Sequence, residues 1–164
     1  MNFFDVPEVR LSDKQRENIF LDVISGHFDE TYEEPFNVYF KEDYFQFIYD
    51  QLNVIPTAVY ILKLRAGWDC PPHVDDEYDM PRYSSMIIPL SPIGDSYMPL
   101  RYLDRDNNPI ETIGYRENGF ITDTTKLHHV VNNHKDRYNI QISFKQRIDE
   151  LYKLYKDNKL IKVA

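Results

Sequence analysis

The chain has 164 residues and a formal net charge of -8, from 19 Lys and Arg against 27 Asp and Glu. This length suits one compact domain with a single core, predicted to span 1–164. An acidic surface repels phosphate backbones, so we expect no nucleic-acid partner, and no apolar run is long enough to cross a membrane. With one Cys and no leader-like apolar segment, the expected location is cytoplasmic.

Two helices are predicted near the N-terminus. The first spans about 12–25, because Ser12 and Gln15 have the spacing of a capping box and apolar residues then recur on one face. The second spans about 42–52, where apolar residues again fall at helical spacing. The polar, acidic segment that follows the first helix, through Glu33, Glu34 and Pro35, is predicted to be a loop between the two helices.

From residue 57 onward the pattern changes to short runs of β-forming residues separated by Pro, Gly, Asp and Asn. Seven or eight strands at this spacing indicate a β-sandwich or barrel. The chain therefore divides into N-terminal helices at 1–56, a β-core at 57–145 and a C-terminal helix at 146–164, a mostly β fold with flanking α-helices. The predicted strands are 57–64, 84–90, 97–103, 110–115, 120–123, 128–132 and 137–144.

The last of these strands has the clearest alternation. Every second residue over 137–144 is aromatic or aliphatic, and the residues between them are polar. Alternate side chains of a strand face opposite sides, so one face is predicted to pack against helices and the other to face a pocket or solvent. The polar face consists of Arg137, Asn139, Gln141 and Ser143.

A metal-binding pattern stands at His73 and Asp75. Residues two apart in an extended strand face the same way, so this imidazole and this carboxylate are presented side by side. A second His from another strand would complete a set of two His and one carboxylate, which leaves three positions open and suits Fe(II) oxygenases. A His-x-Asp pair also occurs by chance, so the pattern depends on a downstream partner.

That partner is expected in the strand at 128–132. His128 and His129 face opposite sides of this strand, so only one of them can be a ligand, and periodicity alone does not choose between them. Arg137 follows on the next strand. An Arg at the floor of a pocket binds a carboxylate through two hydrogen bonds, whereas the alternative is an Arg at the surface end of a strand.

These residues resemble the 2-oxoglutarate/Fe(II)-dependent dioxygenases, over roughly 61–144. The resemblance rests on His73-Val74-Asp75, on Ile87-Ile88-Pro89-Leu90, on Arg137 and on a distal Asp-x-x-x-x-His-x-Val-x-Asn pattern. In this last pattern the matching residues are Asp123, His128, Val130 and Asn132. The resemblance therefore favours His128 over His129, and it implies a double-stranded β-helix (jelly roll, cupin-like) for the β-core.

The resemblance also implies a function. Metal ligands would be His73, Asp75 and His128, with Arg137 and Asn139 binding the 2-oxoglutarate co-substrate. The cofactors would be Fe(II), 2-oxoglutarate and O2. The expected reaction is hydroxylation of a peptidyl side chain (prolyl or aspartyl/asparaginyl-like) or of a small molecule, with release of succinate and CO2.

Substrate contacts are predicted at Trp68, Arg82 and Tyr97, which flank the expected mouth of the pocket. An ordinary core or surface position is the alternative for each of them. Two other functional classes remain open at this point. One is a cupin-like metalloenzyme that does not use 2-oxoglutarate, and the other is a non-enzymatic β-sandwich binding module.

Overall fold

The computed structural model describes residues 1–33, 36–75, 81–92, 100–114, 116–131 and 135–162. Within these ranges the chain forms eleven strands and three helices. In chain order they are β1 (Phe3–Val6), α1 (Asp13–Ile24), β2 (Asp29–Glu33), β3 (Phe36–Phe40), α2 (Gln46–Tyr49), β4 (Ala58–Leu64), β5 (Cys70–His73), β6 (Ser84–Ser91), β7 (Leu100–Leu103), β8 (Pro109–Ile113), β9 (Gly119–Asp123), β10 (His128–Val130), β11 (Arg137–Phe144) and α3 (Ile148–Lys156).

The strands form two antiparallel sheets. The larger sheet has seven strands in the order β1-β9-β6-β11-β4-β3-β2, and the smaller has four in the order β5-β10-β7-β8. From β4 to β11 the chain passes repeatedly from one sheet to the other, as between β9 and β10, which is expected of a jelly roll. The predicted fold class, a mostly β jelly roll with flanking helices, is confirmed.

Strand β11 lies at the centre of the larger sheet, paired with β4 on one side and β6 on the other. All eight of its residues are buried. Its apolar face, which includes Ile140 and Ile142, joins the main hydrophobic core together with Ile19 of α1 and Leu151 of α3. The helices therefore cover the outer face of the larger sheet, and the polar face of β11 points between the sheets, as its alternation predicts.

The first helix begins as predicted. Ser12 caps α1, its hydroxyl oxygen accepts a hydrogen bond from the N–H of Gln15, and the Gln15 side chain bonds back to the N–H of Ser12. This reciprocal pair satisfies two backbone donors that a helix start leaves open. No helix in the described part of the chain combines the length and the apolar character needed to cross a bilayer.

The rest of the N-terminal region differs from its predicted helical character. The acidic segment predicted to be a loop contributes β2, which pairs with β3 to extend the larger sheet. The helix predicted over 42–52 is reduced to the four residues of α2, because Asp43 adopts a positive φ of 61° and interrupts the regular backbone near its start. The first strand, β1, pairs with β9 at the other edge of the same sheet.

Candidate metal centre

A cavity of about 530 Å³ lies between the two sheets. The larger sheet contributes alternate residues of β4 and β11, and the smaller sheet contributes β5 and β10. The lining residues that carry polar or ionisable side chains are Thr57, Tyr60, Cys70, His73, Asp75, Arg82, Ser85, Thr122, Thr124, His128, Arg137, Asn139, Gln141 and Ser143.

Two His residues meet at the wall formed by the smaller sheet. His73 ends β5 and His128 begins β10, and the two residues are direct partners in the antiparallel pairing of these strands. Their ring centroids are 4.4 Å apart. Strand β5 contains Pro71 and Pro72, which lack the N–H of a normal strand residue, and it lies at the edge of its sheet, where such residues are tolerated.

Asp75 completes the cluster by a route that differs from the predicted one. Strand β5 ends at His73, so Asp75 does not share a continuous strand with it. Its N–H instead donates to the carbonyl of Thr124, at 2.8 Å, just after β9. The carboxylate is 3% exposed, with Oδ1 3.4 Å from Nε2 of His73 and Oδ2 3.8 Å from Nε2 of His128. The two imidazoles and the carboxylate thus offer ligand atoms within 4.8 Å of one another.

Backbone carbonyls set the orientation of both imidazoles. Nδ1 of His73 lies 2.7 Å from the carbonyl oxygen of Pro71, and Nδ1 of His128 lies 2.7 Å from that of Lys126. A carbonyl oxygen only accepts hydrogen bonds, so each Nδ1 carries a proton and donates it. The neutral form of each ring then has its lone pair on Nε2, the atom that faces Asp75, which is the arrangement found in metal-binding His residues.

The charges of these three side chains are coupled. Burial lowers the pKa of His73, but the hydrogen bonds to Asp75 and Cys70 outweigh burial and raise it above its ordinary value. Burial raises the pKa of Asp75, and the neighbouring His73 and Arg82 more than reverse this, so its pKa is lowered. The pKa of His128 is lowered by burial and by the charge on His73. The negative charge of Asp75 is therefore compensated by the positive charges of His73 and Arg82. A bound metal cation would compensate the same carboxylate.

Arg82 lies against this cluster. Its Nη2 is 2.6 Å from Oδ1 of Asp75, and its Nη1 donates to the hydroxyl oxygen of Tyr60 at 2.7 Å. The side chain is 22% exposed and lines the cavity. Sequence reasoning predicted Arg82 as a substrate contact and did not predict its ion pair with Asp75. Tyr60 was not predicted as a site residue, although it alternates with Leu62 and Leu64 along β4.

The polar face of β11 forms the opposite wall. Arg137 is 4% exposed and Asn139 is 3% exposed, and both line the cavity. Nδ2 of Asn139 finds no hydrogen-bond partner among the described residues. Further along, Gln141 donates to the hydroxyl of Ser85 at 3.3 Å. Arg137 is therefore not a surface residue, although it is the first residue of its strand. Its side chain lies in the interior of the protein.

The remaining predicted residues lie elsewhere. His129, the neighbour of His128, does not belong to the group of three converging ligands. Trp68 is 48% exposed in the connection between β4 and β5, and it is absent from the described lining of the cavity. Tyr97, and Asn132 of the distal motif, fall outside the described residues.

The sequence has no match among family models or among curated proteins. Solved structures do match its fold. An oxidoreductase of the 2OG-Fe(II) oxygenase family from Burkholderia pseudomallei matches with a TM-score of 0.63 and 10% sequence identity, over 87% of this chain and 83% of that one. A prolyl-4-hydroxylase from Pseudomonas putida matches with a TM-score of 0.59 and 12% identity, over 89% of this chain and 93% of that one.

A third match is HygX from Streptomyces hygroscopicus, in a structure with nickel, 2-oxoglutarate and hygromycin B bound. Its TM-score is 0.56 at 10% identity, over 86% of this chain and 81% of that one. All three matches span most of both chains, so the likeness extends beyond the β-core. The chain has the fold of the 2OG-Fe(II) oxygenases.

Proposed function

We propose that this protein is a dioxygenase that depends on Fe(II) and 2-oxoglutarate. The observation that carries the proposal is the convergence of His73, Asp75 and His128 in the cavity of a fold shared with such oxygenases. Two imidazole nitrogens and one carboxylate oxygen are the donors that non-haem Fe(II) oxygenases use. The donor set also fits because the carbonyls that bind each Nδ1 leave Nε2 available.

Arg137 and Asn139 would hold the far carboxylate of 2-oxoglutarate. Arg137 begins β11, and Gln141, four residues later, pairs with Tyr60, the partner of Arg82. Four residues of strand span roughly 13 Å, which leaves room for the five-carbon co-substrate between the metal centre and the guanidinium. The guanidinium offers two parallel donors to a carboxylate, and the amide of Asn139 offers one more.

The chain would position and shield the reactants. When bound, iron would supply the activation of O2, coupled to oxidation of 2-oxoglutarate to succinate and CO2. The buried carboxylate of Asp75 offsets part of the cation's charge. Apolar residues that also line the cavity, among them Leu62, Leu64 and Val130, would exclude water around the co-substrate methylenes.

The proposed net reaction is hydroxylation of a substrate C–H bond. We propose a peptidyl side chain, prolyl or aspartyl/asparaginyl-like, or a small molecule as substrate. A prolyl-4-hydroxylase and a protein with hygromycin B bound are among the matched structures, and they are the reason for proposing both classes.

The test is anaerobic addition of Fe(II) and 2-oxoglutarate to the purified protein. A chelated co-substrate on Fe(II) gives a weak visible charge-transfer band, so we expect this band in the wild type. His128→Ala should abolish it, whereas His129→Ala should retain it, because these adjacent residues differ in whether they join the ligand cluster. Absence of the band from folded wild-type protein would refute the proposal, and a band retained by His128→Ala would refute the ligand assignment.

A second comparison tests the co-substrate end. Arg137→Lys keeps the positive charge but removes the paired donors, so we expect the band to require a higher 2-oxoglutarate concentration, while Mn(II) affinity stays unchanged. Loss of both affinities would mean that Arg137 supports the whole site instead of the co-substrate carboxylate.

A further inference from the structure

Arg82 makes two contacts that determine where the Asp75 carboxylate points. One is the 2.6 Å ion pair between its Nη2 and Oδ1 of Asp75. The other is the hydrogen bond from its Nη1 to the hydroxyl of Tyr60, on β4. Asp75 follows β5 in the smaller sheet and Tyr60 lies in the larger sheet, so Arg82 connects the two walls of the cavity beside the metal centre.

The guanidinium distinguishes the two oxygens of the carboxylate. Both oxygens lie near an imidazole, Oδ1 3.4 Å from Nε2 of His73 and Oδ2 3.8 Å from Nε2 of His128, but Arg82 engages Oδ1. The attraction between these opposite charges is strong at this distance and in a partly buried setting, so the ion pair holds the carboxylate against rotation. The Tyr60 hydroxyl in turn fixes the guanidinium, and only a small part of the Arg82 side chain is exposed.

The number of available carboxylate oxygens matters in a site with two His and one carboxylate. Such a set leaves three positions open for the reactants. 2-Oxoglutarate needs two of them and O2 needs the third. A carboxylate that bound through both oxygens would occupy one of these three positions, and the metal could no longer take both reactants.

We propose that Arg82, anchored by Tyr60, is a positioning residue that restricts Asp75 to one metal-binding oxygen. This inference rests on the proposed function. It also predicts a cost: a guanidinium beside the site repels a divalent cation, so the site binds its metal less tightly than the same three ligands would without Arg82. Arg82 thus lowers metal affinity and keeps one coordination position free for the reactants.

The experiment compares wild type with Arg82→Met and Tyr60→Phe. Mn(II) is titrated by calorimetry in the absence of 2-oxoglutarate, and 2-oxoglutarate is titrated anaerobically on the Fe(II) protein by its visible band. Arg82→Met removes the charge and the donors at similar length, so we expect about tenfold tighter Mn(II) binding and about tenfold weaker 2-oxoglutarate binding, the size of effect that residues behind metal ligands produce. Tyr60→Phe loosens the anchor, and both constants should shift in the same directions by less.

A positioning role predicts that Mn(II) affinity rises while 2-oxoglutarate affinity falls, whereas a residue that only supports the fold of the site would lower both affinities. If Arg82→Met weakens Mn(II) and 2-oxoglutarate together, or changes neither, the inference is overturned. Tyr60→Phe alters one hydroxyl, so it decides the question if Arg82→Met does not fold: unchanged constants or joint weakening in that variant overturn the inference as well. Failure of the wild type to bind Mn(II) or to give the band would instead overturn the proposed function itself.

Discussion

Truncation of two adjacent residues of β11 should affect different properties: Ile140→Ala should lower stability, and Asn139→Ala should weaken 2-oxoglutarate binding. Ile140 is fully buried in the main core, where its partners across the strand pairs are Ile61 and Ile88, themselves 0% and 1% exposed. Its backbone is paired with a strand on each side, so the sheet cannot move to fill the space that a truncated side chain would leave. Asn139, the preceding residue, faces the space between the sheets with a buried Nδ2 that finds no partner among the described residues.

The magnitudes follow from these surroundings. Truncation of a buried Ile to Ala costs about 2–5 kcal/mol, and we expect about 4 kcal/mol for Ile140→Ala because its neighbours cannot move in. At about 2–4 °C per kcal/mol for a chain of this size, the melting temperature should fall by about 8–16 °C. Asn139→Ala removes a donor whose desolvation is not compensated, so the free energy of unfolding should change by less than about 1 kcal/mol.

The assay is urea denaturation followed by far-ultraviolet circular dichroism, with the 2-oxoglutarate titration as the second readout. Asn139→Ala should unfold near the wild-type midpoint and yet bind 2-oxoglutarate more weakly. Ile140→Ala should show the reverse, with a lower midpoint at an unchanged slope. Comparable destabilisation by the two variants would contradict the assignment of opposite faces of β11 to core and cavity.

Two further predictions concern stability away from the cavity. Gly119→Ala should cost about 1–3 kcal/mol, seen as a lower urea midpoint, because the added Cβ would lie 2.7 Å from the backbone oxygen of Val9; an unchanged midpoint would contradict this. Burial raises the pKa of Asp136, but the N–H of Ala66 and the ammonium of Lys63 outweigh it and lower the pKa. A carboxylate with a lowered pKa adds stability above its unfolded-state pKa near 4, and this stability is lost as pH falls through the folded-state pKa. Asp136→Asn should therefore be less stable than wild type at pH 7, and the two proteins should become equally stable at acid pH. A difference in stability that stays constant across pH would contradict this.

The β-core was predictable because its signals are local. The alternation along β11 assigns residues to core and cavity correctly from Arg137 to Phe144, since a buried strand between helices and a polar pocket must alternate. The capping box at Ser12 likewise needs only four residues to be recognised. The convergence of His73 with His128 needed more than local signals, and the family resemblance supplied the choice between the two neighbouring His residues.

Other features depended on contacts that sequence spacing does not reveal. Strand β2 carries acidic residues that suggest a loop, yet it pairs along β3 as the edge strand of the larger sheet, where charged side chains are tolerated. The second helix had suitable apolar spacing, but the positive φ of Asp43 interrupts it. The position of Asp75 depends on the carbonyl of Thr124, and the ion pair with Arg82 joins residues seven positions apart in the sequence.

The central place of β11 links correct folding to the formation of the polar wall of the cavity. A shift of this strand by one residue against β4 and β6 would turn every side chain to the opposite face. Arg137 would then enter the hydrophobic core, and Ile140 would enter the polar cavity. Because such a state is so unfavourable, a molecule that has formed this core has also placed the Arg137 guanidinium in the cavity.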